Sequence, residues 1–270
     1  MSFQPVVPFS GYGGWKFLTR TLEQQQEQFA RAPALQRDLA YFQDRIGSVE
    51  TAEDLVSDRR LLRISLEAFG LGADVDSRAF IRKVLEDGTE APRALANRLA
   101  DRRYKAFSDA FALSGTGPPG TQAEGFAERI AAQFQDRRFE EALGAQDESM
   151  RLALALRRDL VALAEQPSSD RARWFTVMGT PPLRKVFETA FGLPPAFAAL
   201  DIDRQLETFQ RRAAATFGAA EVAQFADPER LESLVRTFLL RDGLAASSGG
   251  MGNGSSVALQ LLQTAPRPVL

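Results

Sequence analysis

From Trp15 to the neighbourhood of residue 246, the apolar side chains of this sequence recur at helical spacing. That periodicity constrains the fold more than any other feature. Leu231, Leu234, Val235, Phe238 and Leu239 fall at i, i+3, i+4, i+7 and i+8, along one face of a helix. Leu183, Val186, Phe187, Ala190 and Phe191 repeat the spacing, and Phe126, Ile130 and Phe134 form a narrower stripe beside Ala127 and Ala131. No segment alternates apolar and polar residues as a half-buried strand would. The expected fold class is all-α, a bundle-like helical array, with most of the 20 phenylalanines serving as core.

The ends of these helices are marked too. Thr51 with Asp54 has the form of an N-cap pair, and Pro228 after Asp227 suits a first helical turn. Gly70, Gly88, Gly192 and Gly243 each follow a helical run, where a left-handed C-cap favours glycine. Met1 to Gly14 has no regular period and is expected to be extended or mobile. Ser114 to Gln122 and Ser247 to Ser256 interrupt the helical pattern by their Gly, Pro and Ser content.

The chain also resembles itself at a shift of about 120 to 127 residues. Leu35-Gln-Arg-Asp-Leu39 answers to Leu156-Arg-Arg-Asp-Leu160. Leu61–Ile64 with Ala68–Leu71 answers to Leu183–Val186 with Ala190–Leu193. Asp74 and Asp76 answer to Asp201 and Asp203, and Ala100, Asp101 and Phe111 to Ala226, Asp227 and Phe238. The matched residues lie on the apolar faces, so a packing solution is what repeats. Tandem duplication is the expectation, with units at residues 15–116 and 117–246 and a tail at 247–270 joined through the Gly/Ser segment. A shorter echo pairs Asp58-Arg-Arg with Asp101-Arg-Arg. Arginines in a first turn oppose the helix dipole, so they are expected to pair with acids on neighbouring helices.

Two absences narrow the chemistry. Without cysteine there is no disulfide, thiolate nucleophile, iron–sulfur cluster or zinc finger, and without histidine the usual general base and transition-metal ligand are gone. An enzyme built from this sequence would have to use carboxylates, lysine, tyrosine or a hydroxyl. The net charge of −2 gives no general attraction to nucleic acid or acidic membranes, and the recurrent arginine pairs read as solvated faces with i,i+4 ion pairs. No run of about 20 apolar residues is available to span a bilayer, and the first 14 residues lack the positive start of a signal peptide. A cytoplasmic location, or flagellar association by a route independent of a signal peptide, is the expectation.

Motifs that resemble sites read more simply as structure. Gly115-Thr-Gly-Pro-Pro-Gly120 matches GxGxxG but follows a helix, and Pro118 and Pro119 lack N–H donors, so a turn is expected. Gly249–Ser256 has no lysine where a phosphate loop needs one. Asp74, Asp76, Asp201 and Asp203 lack the further ligands of a calcium loop and read as caps; Glu53, Asp54 and Asp58 read likewise. Lys16, Lys83, Lys105 and Lys185 are the only lysines and read as surface side chains. No catalytic, cofactor-binding or metal-binding residue is expected. Trp15, beside Gly13 and Gly14, is either core or a partner anchor. Val257, Leu259, Leu261 and Leu262 either dock back on the body or bind a groove on another protein.

Tyr41–Val49, Asp54–Leu62, Ala68–Leu71, Phe80–Glu86 with Gly88, and Leu99–Phe107 with Ala110 and Phe111 together resemble one bacterial family of unknown function, the domain family numbered twelve-seventeen. The resemblance is dense over residues 30 to 115 and weaker in the second half. It implies a helical protein, often with more than one copy of the unit, encoded among flagellar genes; it supplies no catalytic residues. The resulting expectation is a non-enzymatic structural or interaction protein of flagellar assembly or function with a protein partner. The alternatives are a cytoplasmic adaptor, chaperone or regulator, and a carboxylate-dependent hydrolase. The last would need a cleft where Asp or Glu converge with raised pKa values.

Overall fold

The computed structural model describes residues 3–263, and their side chains through residue 246. Among the described residues there are thirteen α-helices and no strand. The helices are α1 (Gly11–Ala30), α2 (Pro33–Arg45), α3 (Ala52–Ser57), α4 (Arg59–Ala68), α5 (Arg78–Asp87), α6 (Leu95–Arg98) and α7 (Arg102–Phe111). They continue with α8 (Phe126–Gly144), α9 (Glu148–Glu165), α10 (Asp170–Gly179), α11 (Pro181–Phe191), α12 (Ile202–Phe217) and α13 (Pro228–Gln263).

Local chemistry starts and stops these helices where the sequence indicates. The Thr51 hydroxyl accepts from the Asp54 N–H at 3.1 Å and the Asp54 carboxylate accepts from the Thr51 N–H at 2.9 Å, a complete capping box. Asp58, Asp101, Asp201 and Asp227 accept first-turn N–H groups of α4, α7, α12 and α13. After α4 the Leu71 N–H donates to the Leu66 carbonyl at 2.8 Å and the Gly70 N–H to Glu67 at 2.9 Å. After α11 the same pair of bonds runs from Leu193 to Glu188 and from Gly192 to Thr189. These are Schellman motifs, and each needs its glycine at positive φ, +71° at Gly70 and +63° at Gly192. The matched segments thus end two helices in the same way.

Gly243 is different. It lies inside α13, which also takes in Ser247–Ser256, where the sequence leads one to expect a linker. Glycine weakens a helix by about 1 kcal/mol relative to alanine but does not clash within it, so its presence alone does not end one. Val257, Leu259, Leu261 and Leu262 lie beyond the residues whose side chains are described.

Two hydrophobic clusters form the interior. One gathers α2 to α5, α7 and the first half of α8 around Phe42, Leu62, Phe107, Phe111, Phe126 and Phe134. The other gathers the second half of α8 with α9 to α13 around Trp174, Phe187, Phe209, Phe225 and Phe238. In the second cluster the Phe187 ring lies 5.3 to 6.3 Å from those of Trp174, Phe191, Phe209 and Phe225, mostly edge to face.

The clusters do not divide the chain at residue 116. Helix α1 joins the second one through Trp15 and Leu18, while Phe126, Ile130 and Phe134 of α8 fill the first. The stretch expected to be extended or mobile is cut short, because Gly11–Gly14 already form the first turn of α1, and the non-helical residues before it are tied down. The Gln25 side chain accepts from the Val6 N–H at 2.7 Å and donates to the Val6 carbonyl at 3.1 Å, and Gln146 donates to the Pro5 carbonyl.

Candidate functional site

Because α8 serves both clusters, its apolar face turns partway along. From Phe134, in the first cluster, to Phe139, in the second, is five residues, which at about 100° each advances the face by roughly 140°. The charged residues between and beside them lie in the seam. Glu140 is only 6% exposed. Its carboxylate accepts from Arg158 of α9 and, at 3.4 Å, from Arg137 one turn earlier. Arg158 Nε donates to Asp159 at 2.8 Å, and the Arg137 guanidinium lies 3.6 Å from the same carboxylate. Arg137 also pairs across to α9, so it is no solvated-face residue: its side chain is 18% exposed. Its neighbour Arg138 keeps the surface pattern, bonded to Glu141 at 2.9 Å.

Burial sets the electrostatics here. It pushes the Glu140 carboxyl above the usual carboxylate range even though Arg158 and Arg137 pull the other way. It also lowers Arg137, outweighing the attraction of Asp159 and Glu140, which itself exceeds the repulsion from Arg158 and Arg103. Asp136 is likewise raised by burial against the attraction of Arg158 and Arg137.

Two cavities flank this cluster and share Arg158 as a wall. One, of about 500 Å³, is lined by Asp136, Glu140, Arg157 and Arg158 with Leu22, Leu154, Val161 and Leu231. The other, of about 340 Å³, lies between the two clusters and is lined by Arg102, Arg103, Arg137 and Arg158, with Asp159 as its acidic residue. The first places Asp136 and Glu140, one helical turn apart, on a single cavity wall.

The residues singled out from sequence lie elsewhere. Trp15 is 1% exposed and belongs to the core, so its ring offers no anchor to a partner. Its indole N–H donates to Glu232 at 3.1 Å, and the same carboxylate accepts from Tyr12 at 2.8 Å and from Lys16 at 3.2 Å. Lys83 pairs with Asp87 and Lys105 with Asp109, each at i,i+4. Asp74 accepts from Tyr104, Asp76 pairs with Arg59 and Asp203 with Arg171. Among the described residues no group of His, Cys, Asp or Glu is arranged to hold a metal ion. The expected pairing of first-turn arginines with other helices holds for Arg60, which bonds Asp38 of α2 at 2.9 Å, alongside Arg63 at 2.7 Å. Arg103 instead folds back on its own cap, Asp101, and donates to the Gly70 carbonyl.

The seam was partly legible in the repeat. Asp38 and Asp159 are the matched acids of Leu35–Leu39 and Leu156–Leu160, each placed beside a buried leucine stripe and each ion-paired to arginine.

A family model described as "Protein of unknown function (DUF1217)" matches residues 68–231. The chain belongs to this family. The matched span runs through most of the second half, where the resemblance read from sequence is weaker, and omits residues 30–67, where that resemblance is dense. No curated protein matches. The crystal structure of protein AGR_C_984 from Agrobacterium tumefaciens is similar over 88% of this chain and 97% of its own, at 25% identity and a TM-score of 0.72. Both likenesses describe a shared fold and carry no stated activity. No helix among the described residues is long and apolar enough to cross a membrane.

Proposed function

We propose that this chain is a non-enzymatic interaction protein of flagellar assembly or function, and that it engages its partner through the emergent face of α13. One observation carries the reading. The last core residue of α13 among the described side chains is Leu239, and immediately beyond it Leu240 and Leu244, 51% and 70% exposed, stand one turn apart on the same helix. An apolar i,i+4 pair on a helix leaving a folded body is the form in which helices dock into grooves on other proteins. Val257, Leu259, Leu261 and Leu262, the other candidate partner-binding residues, lie outside the described side chains. The reading includes tandem duplication of the body, supported by matched segments that form α2 and α9, α4 and α11, and α7 and α13 in the same order. The flagellar setting rests on the family resemblance.

The test is genetic. A deletion strain is expected to lose motility, with recovery by the full chain and not by its Leu240→Asp/Leu244→Asp variant. Normal motility in the deletion strain would remove the basis of the reading. Abundant protein in the cytosol and none in purified flagella would favour the adaptor or chaperone alternative instead.

The 500 Å³ cavity favours a second reading, a carboxylate-dependent hydrolase, because Asp136 and Glu140 meet there with raised pKa values. Glu140 is already engaged by two arginines, however, and ion-pair networks perturb pKa values without catalysis. Hydrolysis of model esters or glycosides that disappears in Asp136→Asn would establish this reading, and activity no different from buffer would dismiss it.

A further inference from the structure

We infer that the 340 Å³ cavity between the two hydrophobic clusters binds a small organic anion, a phosphate or carboxylate head on an apolar body. Four guanidinium groups, of Arg102, Arg103, Arg137 and Arg158, line it against the one carboxylate of Asp159. Existing partners use up only one of the four. Arg103 is satisfied by Asp101 and the Gly70 carbonyl. Arg137 has only long contacts, 3.4 Å to Glu140 and 3.6 Å to Asp159. Arg158 is held through Nε and Nη1, but its Nη2 is buried with no hydrogen-bond partner. Arg102 has no ion pair or hydrogen bond among the described residues, while its aliphatic stem packs close to Gly179.

Buried donors without acceptors are costly, and so is a concentration of like charge away from water. Here the cost of burial is visible in Arg137, whose guanidinium is pushed below its usual value although Asp159 and Glu140 pull it upward. A bound anion would reverse each of these penalties at once. Guanidinium forks match the paired oxygens of carboxylate and phosphate, and they are preferred to lysine where planar, two-point recognition is needed.

The remaining wall sets the rest of the ligand. Phe69, Leu163 and Leu183 contribute apolar surface, and Thr176, Thr180 and Gln133 contribute polar atoms. The Gln133 Oε1 is buried and unpaired, open to a hydroxyl or amide on the ligand. A cavity of this size holds a compact molecule, not a polymer. Because the lining comes from α4, α7, α8, α9, α10 and α11, occupancy would brace the two clusters against each other.

Phenyl phosphate is the probe, with inorganic phosphate and phenol as its two halves, followed by calorimetry and by the thermal midpoint of the full chain. Phenyl phosphate is expected to bind, to raise the midpoint by mass action, and to bind more tightly than either half. Arg102→Gln should weaken it about tenfold, the loss of one charge-assisted contact. That variant sacrifices no native hydrogen bond, so it is expected to fold and melt as the wild type does without ligand. Arg93→Gln, an exposed arginine away from the cavity, should bind as the wild type does. Absence of phenyl phosphate binding, or equal weakening by both substitutions, would overturn the assignment. Affinity for inorganic phosphate equal to that for phenyl phosphate would overturn its organic part.

Discussion

Replacing Glu140 by leucine tests whether the charged seam holds α8 against α9. The substitution removes the acceptor of Arg158 and of Arg137 and leaves two guanidiniums facing one carboxylate, Asp159. Removing one partner of a fully buried ion pair costs about 3–5 kcal/mol. The Arg158 side chain is 31% exposed, so water reaches part of it, and Asp159 still offsets some of the charge. We therefore expect roughly 2–3 kcal/mol. At about 2–4 °C per kcal/mol for a chain of this size, the thermal midpoint should fall by roughly 4–12 °C. Glu140→Met with Arg158→Met leaves Arg137 paired to Asp159 with no surplus charge, and should recover at least half of the loss. Raised Glu140 pKa agrees with this: burial makes its ionised form expensive, so the pair is worth keeping balanced more than it is worth having. Differential scanning calorimetry at neutral pH gives both values. A single variant that melts with the wild type, or a double variant less stable than the single, would refute the reasoning.

The other expectations are more local. Gly192→Ala and Gly70→Ala force an L side chain into left-handed backbone at φ +63° and +71°, and each should cost about 1–2 kcal/mol in denaturant melts; unchanged midpoints would mean the two Schellman turns can rearrange. All three tyrosines should ionise above the usual value near 10. Tyr104, desolvated and bonded to Asp74, is pushed up to about 12. Tyr12 is raised by its bond to Glu232 and Tyr41 by its bond to Asp58. The folded chain keeps these protons when an unfolded one would release them, so their stabilisation is complete below the unfolded value of about 10 and is lost as pH rises through each folded value, about 12 for Tyr104. Ultraviolet titration should show no phenolate transition near 10 while the chain stays folded. Asp136→Asn should raise the thermal midpoint at pH 7 and less so in acid, because the raised carboxyl begins to cost stability as pH rises past its unfolded value and costs it in full above its folded one.

The periodicity of Leu183–Phe191 and Leu231–Leu239 made α11 and the start of α13 readable, since a buried face must recur every three to four residues. Caps were readable for the same local reason: Thr51, Asp58, Asp101, Asp201 and Asp227 act on N–H groups two or three residues away. What local pattern could not state is which cluster a helix joins. Trp15 and Leu18 show an ordinary helical face, yet that face packs with α9 and α13, some 130 to 220 residues away in sequence. The burial of Arg137 and Glu140 follows from the turn of α8 between two cores, and a window centred on either residue shows only charge. Both arginine cavity and carboxyl pair descend from that tertiary fact.

The decisive measurement for the account is capture of flagellar proteins by the purified full chain, compared with its Leu240→Asp/Leu244→Asp variant. Neither leucine is packed in the core, so both proteins should melt alike. We expect the wild type to retain a defined flagellar component and the variant to lose it at least tenfold, as two buried leucine contacts are worth roughly 1.5–3 kcal/mol each. Equal retention by both, or no flagellar component retained by either, would contradict the account.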